Sequence, residues 1–139
     1  MTQMRKTIRG FTLVEIIIVV IIIAMLAAAV VPRLVGRTQQ ARTARAKADI
    51  QAIGVALDLY ELDTSQYPEK LDELTTSQAP SGIPQDRWHG PYLKKGVPKD
   101  PWGRDYKYQK GSNHPGQDYD LYSLGADEQS TKDDVTNWE

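Results

Sequence analysis

The chain has 139 residues, no cysteine, 17 basic and 18 acidic side chains, and a formal net charge of −1. That length suits one modest domain plus an N-terminal segment, and the lack of cysteine excludes a disulfide scaffold or a thiol nucleophile. The charges are segregated: residues 1–10 carry Arg5, Lys6 and Arg9 and residues 32–48 carry Arg33, Arg37, Arg42, Arg45 and Lys47, both without an acid, whereas residues 49–139 hold 9 basic and 17 acidic groups, a balance that argues against nucleic acid as a partner.

Behind the basic leader lies an apolar run from Phe11 to Val31, 21 residues in which only Thr12 and Glu15 are polar. As a helix it would span about 31 Å, close to one hydrocarbon core, and in lipid a helix is the only way for a single segment to satisfy its backbone. Three readings compete. A cleaved secretory signal would use Ala27-Ala28-Ala29 as its cutting site. A plain single-pass anchor accounts for the length and leaves Glu15 unexplained. A carboxylate at the bilayer centre costs roughly 2.5–3.5 kcal/mol and needs a partner. If the chain is cut between Gly10 and Phe11, the new amine stands four residues before Glu15, and a staggered neighbour could pair its amine with that carboxylate, which selects a register.

The helical pattern does not end at Ala29. Ala46, Ile50, Ile53, Leu57 and Tyr60 recur at spacings of 4, 3, 4 and 3, an amphipathic stripe. Pro32 introduces a kink at most, and Gly36 and Gly54 weaken a helix without ending it. One helix from about Phe11 to about Leu62 is expected, its first half in lipid and its second half packed on a small domain.

Asp63 to Pro68 reads as a loop, Leu71 to Leu74 as one short turn and Ser77 to Gly90 as a surface loop. Pro98, Asp100-Pro101 and Gly103 mark a tight turn before Tyr106 and Tyr108, which sit at strand spacing. Asp118 to Leu124 is a second strand, with Tyr119, Leu121 and Ser123 on one side. Two to four short antiparallel strands laid on the helix stripe make the fold α+β. Trp102 and the tyrosines read as core in a domain with a single Phe. His89 and His114, without a carboxylate or thiol at ligand spacing, read as turn or surface residues. No G-x-S-x-G, H-E-x-x-H or Walker loop is present, and no enzyme is expected.

Near the C-terminus Asp127, Glu128, Asp133 and Asp134 fall within eight residues, opposed only by Lys132. Two readings stand level: a solvated acidic loop, or carboxylates and intervening carbonyls around a hard cation such as calcium. Val135 and Trp138 are expected to pack. A metal clip would serve a small extracytoplasmic domain that has no disulfide.

The segment RGFTLVEIIIVVIIIAMLAAAVVP resembles the class III signal of type IV pilins and pseudopilins. The resemblance implies that a prepilin peptidase cleaves at Gly10 and that the new terminal Phe11 is N-methylated, with Glu15 the assembly residue. YELDTSQYP, GPYLKKGVPKDPWGRDY, YDLYSLGADE and DDVTNW are similar to the G-type major pseudopilins of type II secretion systems. That family implies a pilin-like fold divided into a leader (1–10), a transmembrane and assembly half-helix (11–31) and a periplasmic domain (32–139). It implies a single-pass protein of the bacterial inner membrane that polymerises as a homo-oligomeric helical filament. By the same resemblance, the filament would act as a piston with minor pseudopilins, an inner-membrane assembly platform and an outer-membrane secretin. It also implies calcium in the terminal loop, held by the main chain of Leu124 and Thr131 and the side chains of Asp127, Asp133 and Asp134. Five residues, not the six common in the family, separate Asp127 from the pair, which makes Ser130 the alternative to Thr131. The rivals are a type IV pilus or competence pilin, the former disfavoured by the missing C-terminal cysteine pair, and a membrane-anchored or secreted binding module.

Overall fold

The computed structural model describes residues 10–138, and for 29–35 the backbone without the side chains. The leader charges Arg5, Lys6 and Arg9 and the side chains of Ala29, at the secretory cutting site, and Pro32 therefore lie outside what is described. The chain divides into two compact units, residues 1–39 and 40–139. One α-helix, α1 (Leu13–Thr64, 52 residues), supplies most of the first unit and the opening of the second, and its backbone continues through Pro32.

In the first unit α1 begins two residues later than the apolar run suggests. Thr12 stays outside the helix as its N-cap, its Oγ1 accepting the Glu15 N–H at 3.2 Å. Every described side chain from Phe11 to Ala28 is exposed, Phe11 at 78%. A helix apolar on all sides requires a nonaqueous environment or helical neighbours. Among the described residues no helix is long and apolar enough to cross a membrane; the described apolar side chains stop at Ala28, while the sequence run continues to Val31.

In the second unit the expected stripe is the core. Ala46, Ile50, Ile53, Leu57 and Tyr60 are buried, joined by Ala56, Leu71, Leu74, Trp88, Tyr106, Leu121 and Val135. Full burial of Ile53 or Leu57 contributes about 1.5–3 kcal/mol each. The same helix carries a second apolar stripe on the opposite side. Ala44, Ala48, Ala52, Val55, Leu59 and Leu62 recur at spacings of 4, 4, 3, 4 and 3 and are all exposed, Val55 at 60% and Leu62 at 74%. Positions 46 and 48 differ by about 200° around the axis, so the two stripes face away from each other.

α1 ends where Ser65 adopts φ 61°, with its N–H donated to the Glu61 carbonyl at 2.6 Å and the Thr64 hydroxyl to the Tyr60 carbonyl at 2.8 Å. A 3-10 turn at Leu71–Thr75 and another at Gln85–Arg87 follow, so the surface loop expected from Ser77 to Gly90 contains a short turn and ends on the buried Trp88. Three strands, β1 (Lys107–Lys110), β2 (Tyr119–Ser123) and β3 (Val135–Thr136), form an antiparallel sheet in the order β1-β2-β3. β1 starts after Tyr106, because the residues before it close the Asp100–Arg104 turn and pair Lys99 with Asp105.

Tyrosine hydroxyls fasten the loops to α1. Tyr106 donates to Asp49 at 3.0 Å, Tyr92 to Asp63 at 2.6 Å, and Tyr60 to Glu73 at 2.7 Å. Burial, then these carboxylate neighbours, push the Tyr92 hydroxyl up to about 12 and those of Tyr60 and Tyr106 higher still. Tyrosine therefore serves as core in this protein, as expected, and carries a polar tip that positions the loops.

Candidate functional site

Two places concentrate the residues singled out by the sequence. At the start of α1, Gly10, Phe11, Thr12 and Glu15 line one shallow cleft. Gly10 and Phe11 are exposed and precede the helix, so the bond between them lies in non-helical chain. The Thr12 cap was legible as T-x-x-E ahead of an apolar run, a capping signature that places Glu15 at the third helical position. There its carboxylate also faces the positive end of the helix macrodipole. The four-residue spacing from Phe11 to Glu15 thus runs across the cap, not along one helical face.

The terminal loop, Leu124 to Asp134, joins β2 to β3. Its ends meet at Gly125, which adopts φ +62°, and a side chain there would collide with the Asp133 backbone carbonyl. Asp133 closes the loop: its Oδ2 accepts the N–H groups of Ala126 at 2.6 Å and Asp127 at 2.8 Å. Those two bonds, chiefly the one from Asp127, hold its carboxyl below the ordinary aspartate value. Asp127 in turn accepts the Gln129 N–H at 3.0 Å, and Asp134 carries a buried carboxylate oxygen. The fold therefore brings Asp127 beside Asp133. Among the described residues it does not gather three acidic or imidazole side chains closely enough to hold a metal ion.

Beneath this loop sits Asp100, whose side chain is only 1% exposed. Burial raises its pKa, but the Ser123 hydroxyl at 2.6 Å and the Arg104 and Trp102 N–H groups at 2.8 and 3.0 Å outweigh it, and the net shift is downward. Arg104 leaves the same turn to reach the loop: Nη2 donates to the Gly125 carbonyl and Nη1 to Glu128 at 3.0 Å. No sequence spacing announced this contact.

Both histidines lie in turn or surface positions, as expected, yet each meets a carboxylate. His89 Nδ1 lies 3.1 Å from Asp63, and His114 Nδ1 lies 3.0 Å from Asp120 while its ring stacks on Trp138 at 3.9 Å. Each has the carboxylate partner that the linear sequence did not supply at ligand spacing, because the chain folds back to it. Ser112 also donates to Asp120, so serine and histidine share one carboxylate and form no Ser–His–Asp relay.

The family model of type II secretion system protein G matches residues 33–138, and that of the prokaryotic N-terminal methylation motif matches residues 5–31. The type II secretion system core protein G of Pseudomonas aeruginosa is 46% identical, covering 97% of this chain and 98% of its own. The core protein G of Vibrio cholerae is 42% identical over 99% and 96%. A crystal structure of the major pseudopilin from the type 2 secretion system of enterohaemorrhagic Escherichia coli superposes with a TM-score of 0.60 at 32% identity, covering 76% of this chain and 89% of that one. With its long helix and three-stranded antiparallel sheet, the chain belongs to the type II secretion system protein G family, the major pseudopilins.

Proposed function

We propose that this chain is the structural subunit that polymerises into the periplasmic pseudopilus driving type II secretion of folded proteins. The observation that carries the reading, beyond family membership, is the second apolar stripe of α1. Ala44, Ala48, Ala52, Val55, Leu59 and Leu62 offer an exposed face that no described residue covers, on a helix that from Leu13 to Ala28 is apolar on every side apart from Glu15. Such a helix is stable in a bundle of its own copies and costly alone in water.

In this reading a prepilin peptidase cuts the bond between Gly10 and Phe11 and the new amine is methylated. The exposed, non-helical position of both residues supports access to that bond. The mature protein is anchored in the bacterial inner membrane by its apolar half-helix, with the globular unit in the periplasm. Glu15 pairs with a neighbour's terminal amine and sets the stagger. Minor pseudopilins, the assembly platform and the outer-membrane secretin are its partners.

The terminal loop is proposed to hold calcium through the main chain of Leu124 and Thr131, or Ser130, and the side chains of Asp127, Asp133 and Asp134. The donor chemistry fits: all are hard oxygens, and the closed loop brings Asp127 beside Asp133. A bound ion would add positive charge opposite the three carboxylates of the loop.

The test is secretion. Deleting the gene is expected to trap folded exoproteins in the periplasm, and a plasmid copy to release them, read by quantitative mass spectrometry of both fractions. Unchanged secretion together with lost twitching or DNA uptake would transfer the chain to a pilus or competence filament.

A further inference from the structure

The terminal loop already contains a cation of its own. The Arg104 guanidinium spans the loop's first half, with one amino group on the Gly125 carbonyl and the other 3.0 Å from the Glu128 carboxylate. Its base is fixed by the turn that begins at Asp100. The Arg104 N–H donates to Asp100 Oδ1 at 2.8 Å, the Arg104 carbonyl accepts the Asp100 N–H at 2.8 Å, and Nε stands 3.8 Å from Asp100 Oδ2, an electrostatic contact beyond hydrogen-bonding reach. The side chain is 25% exposed, so this contact is partly screened from water. Asp100 also accepts the Ser123 hydroxyl, and Ser123 Oγ accepts the Gly125 N–H at 3.2 Å. The Asp100–Arg104 turn therefore holds the carbonyl of Gly125, the residue on which the loop closes, directly through Arg104, and its N–H through Ser123.

We propose that Arg104 is the positioning residue of the terminal loop, an internal cation that holds the loop closed before any metal ion arrives. The idea rests on the reading of this loop as a calcium site, and adds that its geometry is built by the protein and not by the ion. The physical ground is the planar fork of arginine, which can engage a carbonyl and a carboxylate together, something a lysine point charge does poorly. A closed loop presents Asp127 and Asp133 side by side at the outset, and a site that is formed beforehand does not lose affinity to the fraction of molecules in the open state. Glu128 lies outside the proposed ligand set, and its carboxylate serves Arg104 instead.

The experiment is hydrogen exchange by mass spectrometry on the full chain in detergent, with chelator and with excess calcium, for wild type, Arg104→Ser, Arg104→Lys and Glu128→Gln. The reporters are the Ala126 and Asp127 amides, which the closed loop bonds to Asp133. With chelator, Arg104→Ser is expected to exchange these amides about tenfold faster than wild type or more, the scale of one lost hydrogen bond to a charged group. Arg104→Lys should fall between, and Glu128→Gln should show a smaller increase. Amides of β2 serve as the folding control and should stay protected throughout. Apparent calcium affinity should fall in Arg104→Ser. Equal protection of Ala126 and Asp127 in wild type and Arg104→Ser with chelator would overturn the proposal, as would tighter calcium binding in that variant, which would make Arg104 a repelling charge. If calcium alters no chain at all while the chelator difference persists, the calcium reading fails and the role of Arg104 stands.

Discussion

Along α1, residues 13–28 and residues 44–62 solve different problems with the same apolar alphabet. The first stretch exposes Leu, Ile and Val on every side, and its only punctuation is Glu15 beside the Thr12 cap. The second splits its apolar residues into two stripes that face away from each other, one sealed by the sheet and loops and one open. A helix apolar all round carries no direction, so a single carboxylate can supply register. A helix with two stripes assigns one to folding and leaves the other open for the assembly proposed above. The lesson is that burial within a subunit and burial between subunits can be coded on one helix only half a turn apart.

Several substitutions would break or sharpen that contrast. The largest effect is expected from Glu15→Ala: the subunit should still insert and be cut, while pseudopilus yield falls to background, as seen by shearing and immunoblot. Normal filament yield would remove register-setting from Glu15. On the sealed stripe, Leu57→Ala should cost about 2–5 kcal/mol in unfolding of the globular unit by urea, because the side chain is fully buried and leaves a cavity. At calcium a hundredfold above its dissociation constant, binding would stabilise that unit by about 2.7 kcal/mol. Chelator should then lower its melting temperature by roughly 10–20 °C in a domain of this size. An unchanged melting temperature would remove the ion from the loop.

Stability should also change at both ends of the pH scale. The depressed carboxyls of Asp100 and Asp133 contribute stability that is present above the ordinary aspartate value of 3.8 and lost as pH falls through their folded values. The raised hydroxyls of Tyr67, Tyr92 and Tyr119 contribute stability that is present below 10.0 and lost as pH climbs toward about 12. A plateau between about pH 4 and 10 is expected in urea titrations, with losses outside it. The smallest monomer effect belongs to Leu59→Ala on the open stripe. Stability should move by no more than about 0.5 kcal/mol, as for an exposed surface site. Filament yield should fall nonetheless; loss of neither would sink the assembly role of that stripe.

Much of this was legible in the linear chain, for reasons that can be stated residue by residue. The Ala46–Tyr60 stripe was readable because helical periodicity repeats locally, and β2 because Tyr119, Leu121 and Ser123 alternate. The tight turn was readable because Asp100-Pro101 and Gly103 restrict the backbone within four residues. The open stripe was equally present in the sequence, but periodicity alone cannot say which of two apolar faces a domain will cover. The Thr12 cap and the short β3 were also there to be read, one as a four-residue signature and the other as the packing of Val135.

What the sequence determined by itself was local: the helix, its apolar content, the lone Glu15, the processing signature and the acidic composition of the terminal loop. Tertiary structure alone decided which distant groups meet. Arg104 reaches Gly125 and Glu128 across 21 and 24 residues, Tyr106 reaches Asp49 across 57, and His114 stacks on Trp138. The reason is physical. A local pattern is enforced by bonds between near neighbours, whereas a contact across tens of residues exists only once the core has folded and brought both partners to one place.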